Sequence, residues 1–162
     1  MNRNHFKIYL YTIAITGILL IVFACTQHQD VASEIFPRGT LNSPDRFTGN
    51  VWGHPLVQTD SVFNYSVSNV TFAPRARTNY HRHDEGQILI CVSGRGWYQE
   101  RGKEPVRLNP GDVVKIPPHV DHWHGAARDS EFSHLSMIPH QLKDRGSEWQ
   151  EAVSDKEYNL LK

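Results

Sequence analysis

Hydrophobic and polar positions alternate along most of this chain, and glycine and proline interrupt the alternation at short intervals. A period of two is the signature of half-buried strands. It predicts strands over residues 47–52, 64–72, 97–100, 106–108, 113–116, 122–126 and 132–138. Residues 87–93 are apolar through the middle, from Ile88 to Val92, which predicts a strand buried on both faces. Ala73-Pro74-Arg75, Ser93-Gly94-Arg95-Gly96, Asn109-Pro110-Gly111-Asp112 and Pro117-Pro118 read as turns, and Arg101-Gly102-Lys103-Glu104 as a hairpin loop. Short strands divided this way point to an antiparallel all-β sandwich or barrel. A helix is predicted only near the end. Ser154 and Glu157 have capping-box spacing, and a short helix should run from there to about Leu161. Trp149 and Val153, just before it, are expected to pack on the barrel.

The N-terminus follows another pattern. Arg3 and Lys7 precede an uncharged apolar run, residues 8–23, which ends in Val22-Phe23-Ala24-Cys25. The run is short for a full membrane span of about 20 residues. A small residue directly before the cysteine reads as a lipobox. Residues 1–24 then resemble a bacterial lipoprotein signal cleaved before Cys25, which would carry the lipid. The expected location is the bacterial cell envelope, with the chain held to the membrane by its lipid. Residues 25–45 are polar, carry Pro37, Gly39 and Pro44, and read as a flexible tether. Residues 46–140 form the barrel and 141–162 a C-terminal extension with the helix.

Charge and composition narrow the function. Seventeen basic and seventeen acidic side chains balance. Nothing is basic enough for general nucleic-acid binding, so no nucleic-acid partner is expected. Loss of residues 1–24 removes Arg3 and Lys7 and leaves a slightly acidic chain with no polybasic second anchor. With Cys25 lipidated no intrachain disulfide is available, and Cys91, inside an apolar run, reads as a small buried hydrophobe.

The histidines carry the candidate chemistry. Six of ten fall between positions 81 and 134. His81 and His83 are two apart, so a strand presents both imidazoles to one side. After a bend at Asp84-Glu85-Gly86 comes the carboxamide of Gln87. Further on lie His119, His122, His124 and His134. Imidazoles converging from distant strands suit a transition-metal site. Glu85 shares strand parity with His83 and rivals Gln87 as the next ligand. His54, His119, His28 and His140 read as loop residues. Trp123, between His122 and His124, should point away from the metal.

Two motifs place these residues in a family. His81, His83, Gln87 and Gly94 fall in register with the first cupin motif, and Gly111, Pro117 and His122 with the second. The chain resembles the cupins over about residues 47–140. Arg75 and His119 stand where that family usually has glycine, Ala126 where asparagine is frequent, and Gln87 where the ligand is usually glutamate. The segments at 86–89, 94–97, 110–113 and 122–126 are similar to a small group that includes manganese-dependent cupin hydroxynitrile lyases and cupins allied to carboxymuconolactone decarboxylases. The resemblance implies a cupin jelly roll with His81, His83, Gln87 and His122 as metal ligands. It implies a divalent metal, manganese first, with iron, nickel and zinc compatible. It places His124 and His134 beside the metal, as catalytic residues or as packed core histidines, and a homodimer is the family habit.

Three imidazoles and a neutral amide leave a metal's +2 charge uncompensated, so the site should act as a strong Lewis acid. A nearby histidine can take the proton from a substrate hydroxyl. Cyanohydrin cleavage and enolate stabilisation both fit, on a small hydroxy or carbonyl substrate. A non-catalytic metal or ligand-binding cupin and a metal-dependent dioxygenase are the alternatives. The proposed division of labour makes His134 the general base and lets His124 orient the substrate or stabilise the leaving anion. The strand with His134 is expected to run beside the strand with His122 and His124.

Overall fold

The computed structural model describes residues 35–140 and 146–161. The segment expected to be a lipoprotein signal, Cys25, His28 and part of the C-terminal extension, residues 141–145, lie outside the described residues. Among the described residues the chain is built of short strands with one short helix.

The strands are β1 (Thr40–Leu41), β2 (Phe47–Thr48), β3 (Val51–Val57), β4 (Tyr65–Phe72), β5 (Arg77–Thr78), β6 (His81–His83) and β7 (Gln87–Gly94). They continue with β8 (Gly96–Glu100), β9 (Val106–Leu108), β10 (Val113–Ile116), β11 (His122–Ala126), β12 (Phe132–Pro139) and β13 (Ser147–Trp149). Helix α1 spans Asp155–Tyr158. One sheet has the order β1-β3-β4-β12-β7-β10. The other runs β13-β6-β11-β5-β2, and β8 joins it along β11 with β9 outside β8. All pairings are antiparallel. This is an antiparallel barrel, as the alternation predicts, and the jelly roll that the resemblance implies.

Phe72, Leu89, Tyr98, Leu108, Ile116 and Phe132 belong to the main apolar core. A second cluster, Tyr80, Trp123, Val153 and Tyr158, lies where the C-terminal segment covers β11. That cover explains why all five residues of β11 are buried. Tyr158 donates its hydroxyl to the Ala126 carbonyl (2.7 Å), and the buried Arg77 guanidinium donates to the Val153 carbonyl (2.8 Å) and Asp155 (2.8 Å). Trp123 does point into packing, and its Nε1 donates to Gln99 Oε1. Ser154 Oγ accepts from the Glu157 amide as a helix cap should. The Glu157 carboxylate, however, takes the Tyr80 hydroxyl at 2.6 Å.

Several expectations need correction. Residues 47–52 are two strands in opposite sheets, because the chain turns at Gly49, whose φ of +78° is in the left-handed region. His54 lies in β3, not in a loop. Part of the expected tether is ordered in the barrel: Thr40 and Leu41 pair with Gly53 and Trp52, and a 3-10 turn follows at Pro44–Arg46. Strand β7 alternates, with Leu89 and Cys91 buried and Ile88 and Ile90 half-buried, because its second face lies at the outside of its sheet. Strand β12 is not beside β11. It pairs with β4 and β7, so His134 reaches His124 across the barrel.

Arg75 (φ +72°) and His119 (φ +62°) are the non-glycine residues with positive φ among the described residues. Both are positions where the resemblance led to an expectation of glycine. Each adopts left-handed backbone without the residue type that does so freely.

Candidate metal centre

Strand β6 supplies His81 and His83, and β11 supplies His122. The two strands are neighbours, with His122 opposite His81 in the register. Nitrogens of the three rings lie within 4.8 Å of one another. The rings are buried, and those of His81 and His122 have centroids 4.2 Å apart. Gln87 opens β7 from the other sheet. Gly86, with φ +84°, makes the bend that admits it, and a Cβ there would meet the Ile116 carbonyl oxygen at 2.6 Å.

The outward nitrogens are tied down. Nδ1 of His81 donates to the Asn79 carbonyl at 3.0 Å and Nδ1 of His122 to the Val120 carbonyl at 2.8 Å. A carbonyl can only accept, so each ring in its neutral form carries its proton on Nδ1 and a lone pair on Nε2. Nδ1 of His83 meets Ser147 Oγ at 2.8 Å, and its Nε2 is buried without a partner.

Gln87 sharpens the argument. Its Nε2 donates to Ser136 Oγ at 2.8 Å, and its Oε1 lies 3.1 Å from Nε2 of His122. With the His122 proton on Nδ1, that contact sets two acceptors face to face. A cation between them satisfies both. The donor set therefore fits a divalent metal held by His81, His83, His122 and Gln87. Burial is the main reason the imidazoles of His81, His83 and His122 have lowered pKa values, His81 well below 6.5 and His83 at about 4. They are thus held in the neutral form that ligation needs. Glu85 does not join the group. It lines a small adjoining hollow with Asp84 and His140.

His124 and His134 are buried beside this group. His134 Nε2 and His124 Nδ1 are 3.1 Å apart, and the remaining nitrogen of each ring has no partner. Phe72 packs on both rings and Phe132 on that of His134. Burial lowers the His134 pKa to about 4, and burial followed by the neighbouring His134 lowers that of His124.

A cavity of about 210 Å³ opens onto these groups. Phe47, Val70, Ile138 and Trp149 give it apolar walls, and among the described residues no lysine, arginine, aspartate or glutamate lines it. A larger open groove of about 470 Å³, near Arg95, Trp97 and Arg107, is lined by no histidine among the described residues and is separate from this chemistry.

Sequence reasoning placed His81, His83, Gln87, His122, His124 and His134, and the structure brings all six together. It missed the contacts of Ser147 and Trp149 with the rings of His83 and His81. Trp149 was expected only to pack, yet it stacks on His81 with centroids 4.6 Å apart. His119 is in a loop as expected, with Nδ1 3.6 Å from Asp84. His140, just past β12, is outside the strands as expected and contacts Ser66 Oγ at 2.9 Å.

Residues 68–138 match the Cupin_2 family, described as a cupin domain. An (R)-mandelonitrile lyase from Granulicella tundricola is 41% identical over 114 residues, which are 70% of this chain and 86% of that protein. The chain belongs to the cupin family. A crystal structure of a cupin-like protein from Thermotoga maritima is 50% identical to this cupin, with a TM-score of 0.74 over 78% of this chain and 96% of the other. An acireductone dioxygenase from Bacillus pumilus is 40% identical over 47 residues only, 26% of this cupin and 27% of the dioxygenase.

Proposed function

We propose that this cupin is a metal-dependent lyase acting on a small hydroxy or carbonyl compound, in the manner of a hydroxynitrile lyase. The observation that carries this reading is a ligand set with no carboxylate beside a hydrogen-bonded pair of neutral imidazoles. Manganese is the first choice of metal, with iron, nickel and zinc compatible with the same donors. Held there, a divalent metal supplies a Lewis acid that favours the deprotonated form of a substrate hydroxyl.

The chain's own residues do the rest. Among the described residues no charged side chain lines the cavity, which suits a neutral substrate whose body rests on Phe47, Val70 and Trp149. His134, as general base, accepts the hydroxyl proton. His124 shares that proton through its 3.1 Å contact and orients the substrate. For a cyanohydrin, the carbon–cyanide bond then breaks to give a carbonyl compound and cyanide, and the pair returns the proton to cyanide. The similarity to a mandelonitrile lyase over most of both chains supports this chemistry. The lipobox at Cys25 extends the proposal to an enzyme anchored in the bacterial cell envelope.

A second reading, metal-dependent oxygenation, is favoured only by the 47-residue likeness to acireductone dioxygenase. The test is a screen of the purified protein with manganese, iron, nickel or zinc against cyanohydrins and α-substituted carbonyl compounds. Release of cyanide and aldehyde, abolished by chelator, is expected. Oxygen uptake without cyanide release supports the second reading, and no turnover with any metal overturns both.

A further inference from the structure

The three ligand imidazoles are not held alike. The carbonyls that orient His81 and His122 lie two residues before each ring in the same stretch of chain. His83 is held instead by Ser147 Oγ, 64 positions away, on β13. That strand pairs with β6 so that Ser147 lies opposite His83 and Trp149 opposite His81. Ser147 meets the His83 ring, and the Trp149 indole lies over the His81 ring with an interplanar angle of 19°. The residue between, Glu148, pairs with Arg82 at 2.7 Å, and Arg82 is itself the residue between the two ligands.

A serine hydroxyl differs from a carbonyl because it can donate or accept. It therefore satisfies either tautomer of His83 and does not by itself choose one. When Nε2 of His83 gives its lone pair to a cation, the ring proton must sit on Nδ1 and be donated to Ser147. The cation thus selects one form of the contact between β6 and β13 and strengthens it. The same contact fixes the ring orientation that ligation needs.

We propose that β13 is a positioning strand for the metal centre, with Ser147 and Trp149 holding His83 and His81, so that metal binding and docking of the C-terminal strand are coupled. The coupling is reciprocal: whatever the strand adds to metal affinity, the metal adds to the docking of the strand. This inference rests on the reading that His81, His83, His122 and Gln87 bind a divalent metal.

Two measurements test it, both without reference to activity. The first is the affinity of the full chain for Mn²⁺ by chelator competition. Ser147→Ala should weaken it about 10-fold, at the lower end of the range for residues that orient ligands because Ser147 is exposed. Ser147→Thr, which keeps the hydroxyl, should restore it. The second needs no variant: hydrogen exchange of the wild-type amides at 146–150 should slow on adding Mn²⁺, while those of β9, far from the ligands in the strand order, should not. A wild-type chain that binds Mn²⁺ with unchanged exchange in β13, or a Ser147→Ala chain with wild-type affinity, overturns the coupling alone. A wild-type chain that binds no Mn²⁺, Zn²⁺, Fe²⁺ or Ni²⁺ overturns the metal reading beneath it.

Discussion

His124 and His134 stand on strands of opposite sheets, and their ring nitrogens are 3.1 Å apart in the barrel interior. One nitrogen must donate and the other accept, so the two rings behave as a single proton-holding unit. His124 is on the same face of β11 as the ligand His122, and its ring centroid is 5.4 Å from that of His81. His134 belongs to a different strand and is outside the three-histidine group.

His134→Ala is therefore expected to keep the metal and lose about 10²–10⁴-fold in turnover, the usual worth of a positioned acid–base group. The pH profile of the wild type should locate the same group. His134 must be neutral to accept a proton, so activity is present above its pKa and lost as pH falls through it. Burial lowers that pKa to about 4, and among the described residues no carboxylate lines the cavity to raise it. The acid limb of kcat/KM should thus lie below pH 6.5. A limb at pH 7 or above, or an alanine variant with normal metal and normal turnover, contradicts the assignment.

Gln87→Glu should exchange one property for another. A carboxylate there cancels one unit of the metal's charge, so the variant should hold manganese more tightly against a chelator. The same charge weakens the Lewis acid, and turnover should fall by about 10-fold or more, or about 1.4 kcal/mol of barrier. Gln87→Ala should lose less metal than any histidine-to-alanine ligand variant. Equal turnover in the glutamate variant would show that the neutral amide is incidental.

His119→Gly should not destabilise the fold. Left-handed backbone costs a non-glycine residue about 1–2 kcal/mol, and glycine adds about 0.5–1 kcal/mol of unfolded-state entropy. The His119–Asp84 contact is exposed and worth little. A net gain of about 0–1 kcal/mol is expected in urea unfolding, and a loss above about 1 kcal/mol would mean that the imidazole has a role the backbone does not explain.

Much of this fold was legible because alternation and turn residues act locally. The ligand spacing at His81 and His83 follows from the strand period alone. The sheet switch at Gly49 was not legible, since both halves of residues 47–52 alternate acceptably and only the opposite sheet distinguishes them. Strand β13 was hidden for a related reason: Ser147-Glu148-Trp149 has no period, and pairing with β6 gives it a place. The position of His134 shows the limit most clearly. Its face was readable from Leu135 and Met137, but whether β12 lies beside β11 or across from it depends on sheet order, which no local pattern carries.

Cys25→Ser tests the N-terminal reading. The substitution should abolish fatty-acid labelling and shift the protein out of the membrane fraction. Labelling at the wild-type level would set the lipobox aside without touching the barrel.

The account as a whole depends on a metal at the converging acceptors, and elemental analysis of the purified protein tests it most directly. About one divalent ion per chain is predicted for the wild type, falling sharply in His81→Ala, His83→Ala and His122→Ala because each removes one of four ligands. Full metal content in all three variants, with the fold intact, would contradict it.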